Sequence, residues 1–256
     1  MSETVIAPLF SRRVAAAGMS YLAFGLFAPL PAAISQILRI IPIGAERRQL
    51  YTRQMIQHLC WLFTQLMQLF GLYRHTVVRE CLDNPSGKLV VANHPTLLDA
   101  VFVMAYIPNV CCVAKASLAR NFFTGLTLRQ AGFVLADDSN LFEKLIGKLL
   151  HGENVLLFPE GTRNTSDLEL NFRRGAANLM VVSGCDVLPV VLQCRPRALQ
   201  KGEKWYQVPA QRAEISVTIC RPFSTEELSD QTQPKTLQYR QITRALVEFY
   251  RCRLTP

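Results

Sequence analysis

The chain has 256 residues, of which half are apolar and only 18% are charged, and its formal net charge is +9. This length suits one large domain, or one domain with an appendage. The low share of charge predicts a sizeable core with additional apolar surface, and the basic balance predicts an anionic partner. A membrane surface or a phosphorylated substrate fits better than a nucleic acid, because no basic run is interleaved with aromatic residues.

The eight cysteines have irregular spacing and form no Cys-x-x-Cys pair. Several lie within apolar, strand-like runs. This pattern predicts free, buried thiols in a reducing compartment and excludes a zinc ribbon or a dithiol redox site.

The first long feature is an uncharged run at residues 14–38, and its 25 positions exceed the about 20 that cross a bilayer. Pro29 and Pro31 interrupt the run and favour a kinked or re-entrant segment over a straight span. A signal peptide is the less favoured alternative, because the run is longer than a typical apolar signal region. A helix lying in the membrane interface stays open as well. The arginines that would then reach the head groups are Arg12, Arg13 and Arg39.

A second helical stretch follows at residues 49–73, with apolar side chains at helical spacing and with Trp61 and Tyr73 as amphipathic anchors. The two stretches predict a helical hairpin that contacts a membrane, although a core-packing helical pair would show the same periodicity. We therefore divide the chain into an N-terminal helical membrane-seating segment, residues 1–74, and an α/β domain, residues 75–256.

Short β-like runs alternate with helical patterns through the second segment. Strands are predicted at residues 75–79, 88–93, 110–114, 133–136, 154–158, 187–193 and 214–220. Helices are predicted at residues 97–106, 121–130, 139–151, 176–183 and 233–251, and residues 225–233 are expected to form a surface loop. The alternation predicts an α/β fold with a mixed sheet that is flanked by helices.

Polar residues follow the apolar strand at residues 89–92. Pro95 disfavours helical geometry at His94, so His94 is expected in the turn at the end of the strand. Thr96 can cap the next helix, and Asp99 would then lie in its first turn, within reach of the imidazole. A histidine oriented by a carboxylate is an arrangement for proton abstraction. The spacing alone also arises by chance.

A second polar turn, residues 159–163, follows the apolar strand at residues 154–158. Gly161 permits a left-handed backbone, and Arg163 offers a fork of donors that suits a phosphate. Two further cations, Arg173 and Arg174, precede the next helix. Read alone, Glu160 to Arg163 is a turn with an exposed salt bridge. The carboxyl ends of neighbouring strands form ligand sites in open α/β sheets, so a cleft shared with His94 is the better interpretation.

These motifs resemble those of the glycerophospholipid acyltransferase family, whose best-known members are 1-acylglycerol-3-phosphate acyltransferases. The His-x4-Asp motif matches His94 to Asp99, and the Phe-Pro-Glu-Gly-Thr-Arg motif matches Phe158 to Arg163 without substitution. Lys115 resembles the lysine before the second motif. The phenylalanine-basic-x-glycine segment and the late Val-x-Pro-Val element correspond to residues 172–175 and 187–190.

The resemblance implies transfer of a fatty acyl group from a thioester, on coenzyme A or acyl carrier protein, to a hydroxyl of a lysophospholipid or similar glycerolipid. His94 would be the general base and Asp99 would orient it. The residues that the resemblance assigns to substrate binding are Glu160, Gly161, Thr162, Arg163, Lys115 and Arg173. It implies no cofactor and no metal, a membrane lipid partner, and a location at the cytoplasmic face of the inner membrane.

One position departs from the family pattern. The second motif usually ends in an arginine thought to help hold the acceptor phosphate, and Asp138 stands there instead. An acceptor other than lysophosphatidic acid therefore stays open. A hydrolase that acts on lysolipids or thioesters is a further alternative. An inactive lipid-binding scaffold is the least favoured reading, because both His94 and Asp99 are present.

Overall fold

A computed structural model of the protein describes residue 8 and residues 11–37, 40–81, 85–163 and 170–255. The uncharged N-terminal stretch forms two helices, α1 at Arg12–Phe27 and α2 at Leu30–Ile37. Pro29 lies in the turn between them, where its missing N–H and fixed φ interrupt the helix. α3 spans Ala45–Leu69 and packs against both. The predicted hairpin is confirmed, with a break in its first arm.

Among the residues that the structure describes, seven strands form one mixed sheet, as the alternating pattern predicts. They are β1 at Tyr73–Arg79, β2 at Leu89–Ala92, β3 at Val110–Ala114, β4 at Val134–Leu135, β5 at Asn154–Leu157, β6 at Val187–Arg195 and β7 at Ala213–Ile219. Their order across the sheet is β1-β7-β6-β2-β5-β3-β4. Every neighbouring pair is parallel except β6 with β7. The carboxyl ends of β2, β3, β4, β5 and β6 therefore share one edge.

In the described part of the chain, seven helices follow the N-terminal three. They are α4 at Asp99–Tyr106, α5 at Ala116–Arg120, α6 at Phe122–Gln130, α7 at Leu141–Leu150, α8 at Gly175–Ser183, α9 at Thr225–Leu228 and α10 at Lys235–Leu254. Neither α5 nor α9 was expected, because four or five residues are too few to display a helical period. α9 also corrects the loop that was expected at residues 225–233. Ser224 begins it with a capping box that includes Glu227.

The sheet separates two apolar cores. Val90 and Ala92 of β2 face a core that includes side chains from α1, α3 and α4. Leu89 and Val91 face the opposite core, which α7, α8 and α10 cover. Successive side chains of a strand point to opposite faces, so both sets are buried and the strand is apolar throughout. The N-terminal helices are therefore packed onto one face of the sheet.

Two residues considered for contact with the membrane are held by the protein itself. Tyr73 is only 5% exposed at the start of β1. Arg13 is held by backbone carbonyls, and its guanidinium donates hydrogen bonds to those of Gly71, Leu72, Pro209 and Gln211. The interpretation of Tyr73 as a membrane anchor is thus wrong, and the guanidinium of Arg13, which the interfacial alternative placed at the head groups, is engaged within the fold. Arg12 and Trp61 are exposed, and Arg39 lies outside the described residues.

All eight cysteines are free, as the irregular spacing predicts. Five are buried, whereas Cys252 is exposed on α10. Burial raises the pKa of the Cys111 thiol to about 11 and that of Cys60 to about 12. These two thiols are therefore protonated near neutral pH and act as small apolar side chains.

The stability of the packing between α3 and the sheet depends on a buried ion pair. The side chain of Arg53 is 3% exposed and donates to Glu153, at 2.8 Å, and to Asn109 and the carbonyl of Ala131. Lys148 also lies 3.0 Å from Glu153. Arg53 thus ties α3 to the loops that precede β3 and β5.

We expect Arg53→Leu to lower the free energy of unfolding by about 3 kcal/mol, because it leaves Glu153 with one cation and leaves a buried carbonyl unpaired. Arg253→Leu is the matched control, since Arg253 pairs with Glu80 at the surface and should contribute no more than about 1 kcal/mol. Denaturant titration of both variants measures the difference, and equal losses would refute the assignment.

Candidate active site

His94 lies in the turn after β2, and its imidazole bonds directly to Asp99 at the start of α4. His94 Nδ1 is 2.7 Å from Asp99 Oδ2. A carboxylate only accepts, so in the neutral imidazole Nδ1 carries the proton and Nε2 presents a lone pair. In the part of the chain that the structure describes, Nε2 has no hydrogen-bond partner. The side chain is 20% exposed. This nitrogen can therefore accept a proton from a ligand.

Asp99 is held in place by Thr96 as well as by His94. The backbone N–H of Thr96 donates to Asp99 Oδ2 at 2.7 Å, and the Thr96 hydroxyl donates to Oδ1 at 2.6 Å. Burial raises the pKa of the Asp99 carboxyl, and the hydrogen bonds from His94 and Thr96 oppose that rise. The expectation that Thr96 caps the helix is wrong, because α4 begins at Asp99 and Leu98 is its N-cap. The threonine fixes the carboxylate instead.

The turn after β5 contacts the same histidine from two directions. The ring of Phe158 stacks on the imidazole, with centroids 4.2 Å apart and an angle of 22° between the planes. The carboxylate of Glu160, which is buried, accepts from the backbone N–H of His94 at 3.3 Å. The two sequence motifs therefore meet at one edge of the sheet, as their positions after neighbouring strands predict. The stacking role of Phe158 was not anticipated.

Gly161 brings Arg173 against the turn. Its φ of +69° lies in the left-handed region, and a Cβ there would come within 3.3 Å of the Arg173 guanidinium. Only glycine satisfies both conditions without strain. The backbone N–H of Arg173 also donates to the carbonyl of Pro159 at 2.8 Å. Arg173 and Thr162 are exposed at this turn.

Arg163 connects the two motifs through a third loop. Its Nη1 donates to the carbonyls of Leu199 and Gln200 at 3.0 and 2.9 Å. The Leu199 carbonyl also accepts from the backbone N–H of Leu97 at 3.1 Å. Leu199 is buried and has a φ of +54°, which is unusual for a residue with a side chain. Arg163 therefore holds the loop after β6, a contact that short motifs do not reveal.

Lys115 follows β3 at the same edge of the sheet and is exposed. Asp138 follows β4, and its carboxylate accepts from Lys144 at 2.5 Å and from the backbone N–H of Asn140 at 3.0 Å. The hydrogen bond from Lys144 lowers the pKa of Asp138, and that from Asn140 adds to the effect. The negative charge at Asp138 is therefore balanced by a neighbouring cation.

Asp138 also lines a cavity of about 740 Å³ beside β4. The lining of that cavity, among the residues that the structure describes, includes Lys144 and Arg53 but not His94 or Arg163. Its position thus differs from that of the histidine site. Within the described ranges, no three His, Cys, Asp or Glu side chains cluster as a metal site would require.

Comparison with known proteins finds similarity to acyltransferases. A family model described as Acyltransferase matches residues 74–193, which include both motifs. The chain is 30% identical to 1-acyl-sn-glycerol-3-phosphate acyltransferase alpha of Mus musculus over 154 residues, which cover 57% of this chain and 53% of that protein. These matches support the resemblance of the chain to the glycerophospholipid acyltransferase family.

Other relatives carry similar names. The chain is 34% identical to 1-acyl-sn-glycerol-3-phosphate acyltransferase of Helicobacter pylori over 114 residues, or 41% of this chain and 48% of that protein. It is 29% identical to the human alpha enzyme over 204 residues, which cover 76% of this chain and 69% of that protein. The chain spans about half the length of the first two of these acyltransferases.

The fold also matches a solved structure, that of the 1-acyl-sn-glycerophosphate acyltransferase PlsC from Thermotoga maritima. The TM-score is 0.69, and the match covers 93% of this chain and 96% of that one at 20% identity. The likeness covers nearly the whole chain, and it supports the mixed α/β architecture.

Proposed function

We propose that this protein is an O-acyltransferase of phospholipid biosynthesis, which moves a fatty acyl group from a thioester to the hydroxyl of a lysophospholipid. The observation that carries the proposal is the His94–Asp99 pair at 2.7 Å, joined through the His94 backbone to Glu160 of the second motif. A proton acceptor and a cation-bearing turn at one edge are what acyl transfer to a phosphorylated alcohol requires. The names of the relatives favour lysophosphatidic acid as the acceptor.

His94 is proposed as the general base. Its Nε2 takes the proton of the acceptor hydroxyl while the hydroxyl oxygen attacks the thioester carbonyl. The thiolate then leaves, and the imidazolium returns the proton to it. Asp99 fixes the tautomer and stabilises the imidazolium through Nδ1. Acyl-coenzyme A or acyl-acyl carrier protein is the co-substrate, and the step requires no cofactor.

Lys115, Arg173 and the turn from Glu160 to Arg163 are proposed to bind the acceptor head group. Exposure at the edge that bears His94 supports Lys115 and Arg173 as phosphate ligands. Arg163 is proposed to act largely through the Leu199 loop, because two carbonyls already accept from its Nη1. The ion pair with Lys144 offsets the negative charge of Asp138, although it does not replace the arginine of the family pattern.

The N-terminal helices are proposed to seat the protein on the cytoplasmic face of the inner membrane. One segment, Arg12–Ile34, is long and apolar enough to cross a bilayer. A seat in the interface is favoured, because the helix breaks after α1 and its inner face packs on the sheet. Apolar side chains exposed on α1 and α2 include Met19, Leu22, Leu26, Leu30, Ile34 and Ile37.

We expect His94→Ala to lower the turnover of thioester and lysophosphatidic acid by about 10²- to 10⁴-fold, because the hydroxyl loses its base. His151→Ala is the matched control, since His151 is exposed at the end of α7. Mass spectrometry of the phosphatidic acid formed measures the effect. Near-normal turnover by His94→Ala would refute the mechanism, and thioester consumption without lysolipid would indicate a hydrolase.

We expect Lys115→Ala and Arg173→Ala each to raise the KM for lysophosphatidic acid by about tenfold, the size of a charge-assisted hydrogen bond. The KM for a neutral monoacylglycerol should change little. Arg120→Ala, an exposed cation on α5, and Asp138→Asn should alter neither value by more than about twofold. Equal increases with both acceptors would contradict a phosphate-binding role.

Membrane seating is tested by replacing Leu22, Leu26 and Ile37 together with glutamate. Burial of each side chain in lipid contributes about 1.5–3 kcal/mol, so co-sedimentation with phospholipid vesicles should fall at least about tenfold. The control replaces Leu150 and Val78 with glutamate as well. Both are exposed apolar residues outside α1 and α2. Equal loss in both variants would remove the N-terminal helices as the seat.

A further inference from the structure

The hydroxyl of Tyr250, on α10, lies between two strands of the sheet. Tyr250 is completely buried. Its hydroxyl donates to the carbonyl of Val91 in β2 at 2.6 Å and accepts from the backbone N–H of Val190 in β6 at 3.1 Å. The register pairs Ala92 with Val190, so in a regular parallel ladder this N–H would donate to the Val91 carbonyl directly. The hydroxyl of Tyr250 thus takes the place of one backbone hydrogen bond between β2 and β6.

The side chain of Asn93 takes the place of the next backbone hydrogen bond between the two strands. The amide of Asn93 accepts from the backbone N–H of Leu192 at 2.8 Å and donates to the Leu192 carbonyl at 2.7 Å. The backbone carbonyl of Asn93 would accept that N–H if the ladder continued. Asn93 is buried and immediately precedes His94. Two successive side chains therefore separate the end of β2 from β6.

On its other side, the same backbone is held by β5. The His94 N–H donates to Glu160, which follows β5. Burial raises the pKa of Tyr250 well above its usual range, and the Glu160 carboxylate is among the charges that contribute to the rise. The hydroxyl consequently stays protonated and available as a donor to the Val91 carbonyl.

We propose that Tyr250, together with Asn93, is a positioning residue that holds β2 away from β6 and thereby sets where the His94 imidazole points. This proposal rests on the proposed acyl transfer and adds to it a contribution from α10, far from both motifs in sequence. The hydroxyl group acts as a spacer of fixed size. Without it, the Val190 N–H and the Val91 carbonyl can approach to the about 2.9 Å of a direct bond, which draws the turn at His94 toward β6.

The test is Tyr250→Phe, which removes the hydroxyl and keeps the ring against Phe172. We expect kcat for acyl transfer to fall about 10- to 100-fold, because a shift of about 1 Å in a reacting group has effects of this size. The KM values for thioester and lysophosphatidic acid should stay within about twofold, since the residue touches neither. Asn93→Ala should act in the same way, and the double variant should lose less than the product of the two single effects.

Tyr106→Phe is the matched control. It also removes a hydroxyl, which bonds to His75 at 2.7 Å at the far end of α4, and it should lower thermal stability without changing kcat. A crystal structure of Tyr250→Phe should show a shorter distance between Val190 N and Val91 O. Wild-type kcat in Tyr250→Phe, a loss confined to KM, or a loss matched by Tyr106→Phe would overturn the proposal.

The outcomes also separate this proposal from the proposed function. A wild-type protein that acylates no member of a panel of lysophospholipids would refute the acyl transfer. The strand separation in the Tyr250→Phe structure then still decides whether the hydroxyl is a spacer. If Tyr250→Phe does not fold, Asn93→Ala supplies the same kinetic test, and a wild-type kcat in that variant would count against the spacer.

Discussion

The hydrogen bond between His94 Nδ1 and Asp99 is the interaction on which the site depends. It forces the imidazole into the tautomer that leaves Nε2 basic, and it ties the turn after β2 to the first residue of α4. Burial of Asp99 disfavours its charge, so the bonds from Thr96 and His94 are needed to keep a carboxylate there. The same contacts that stabilise the buried carboxylate also orient the His94 imidazole.

Hydrogen bonds from the surrounding loops also hold the turn that carries His94. Leu199 accepts hydrogen bonds from Leu97 and Arg163, and Glu160 accepts from the His94 backbone. The N-terminal helices are coupled to the site as well, because α1 and α3 share an apolar core with the strands that carry it. If α1 and α2 seat the protein on a membrane, as proposed, this shared core fixes the position of His94 relative to the lipid.

Local patterns predicted much of the fold and of the candidate site. Apolar runs gave all seven strands, and the spacing of His94 and Asp99 anticipated their contact. Contacts between distant segments could not be predicted, because nothing in a short motif indicates that Tyr250 bonds to Val91, 159 residues away. For the same reason Arg13 was assigned to a membrane surface, although four carbonyls from other segments hold it. Charge at Asp138 was visible in the sequence, but its pairing with Lys144 was not.

The protonation of the His94 ring tests the central claim most directly. Nitrogen-15 NMR of histidine-labelled protein in detergent, with His94 assigned by loss of its signals in His94→Gln, distinguishes the two ring nitrogens. For the neutral imidazole, the account predicts a proton on Nδ1 and an unprotonated Nε2. A proton on Nε2 with Nδ1 free would contradict it, because Nε2 could then not serve as the proposed base.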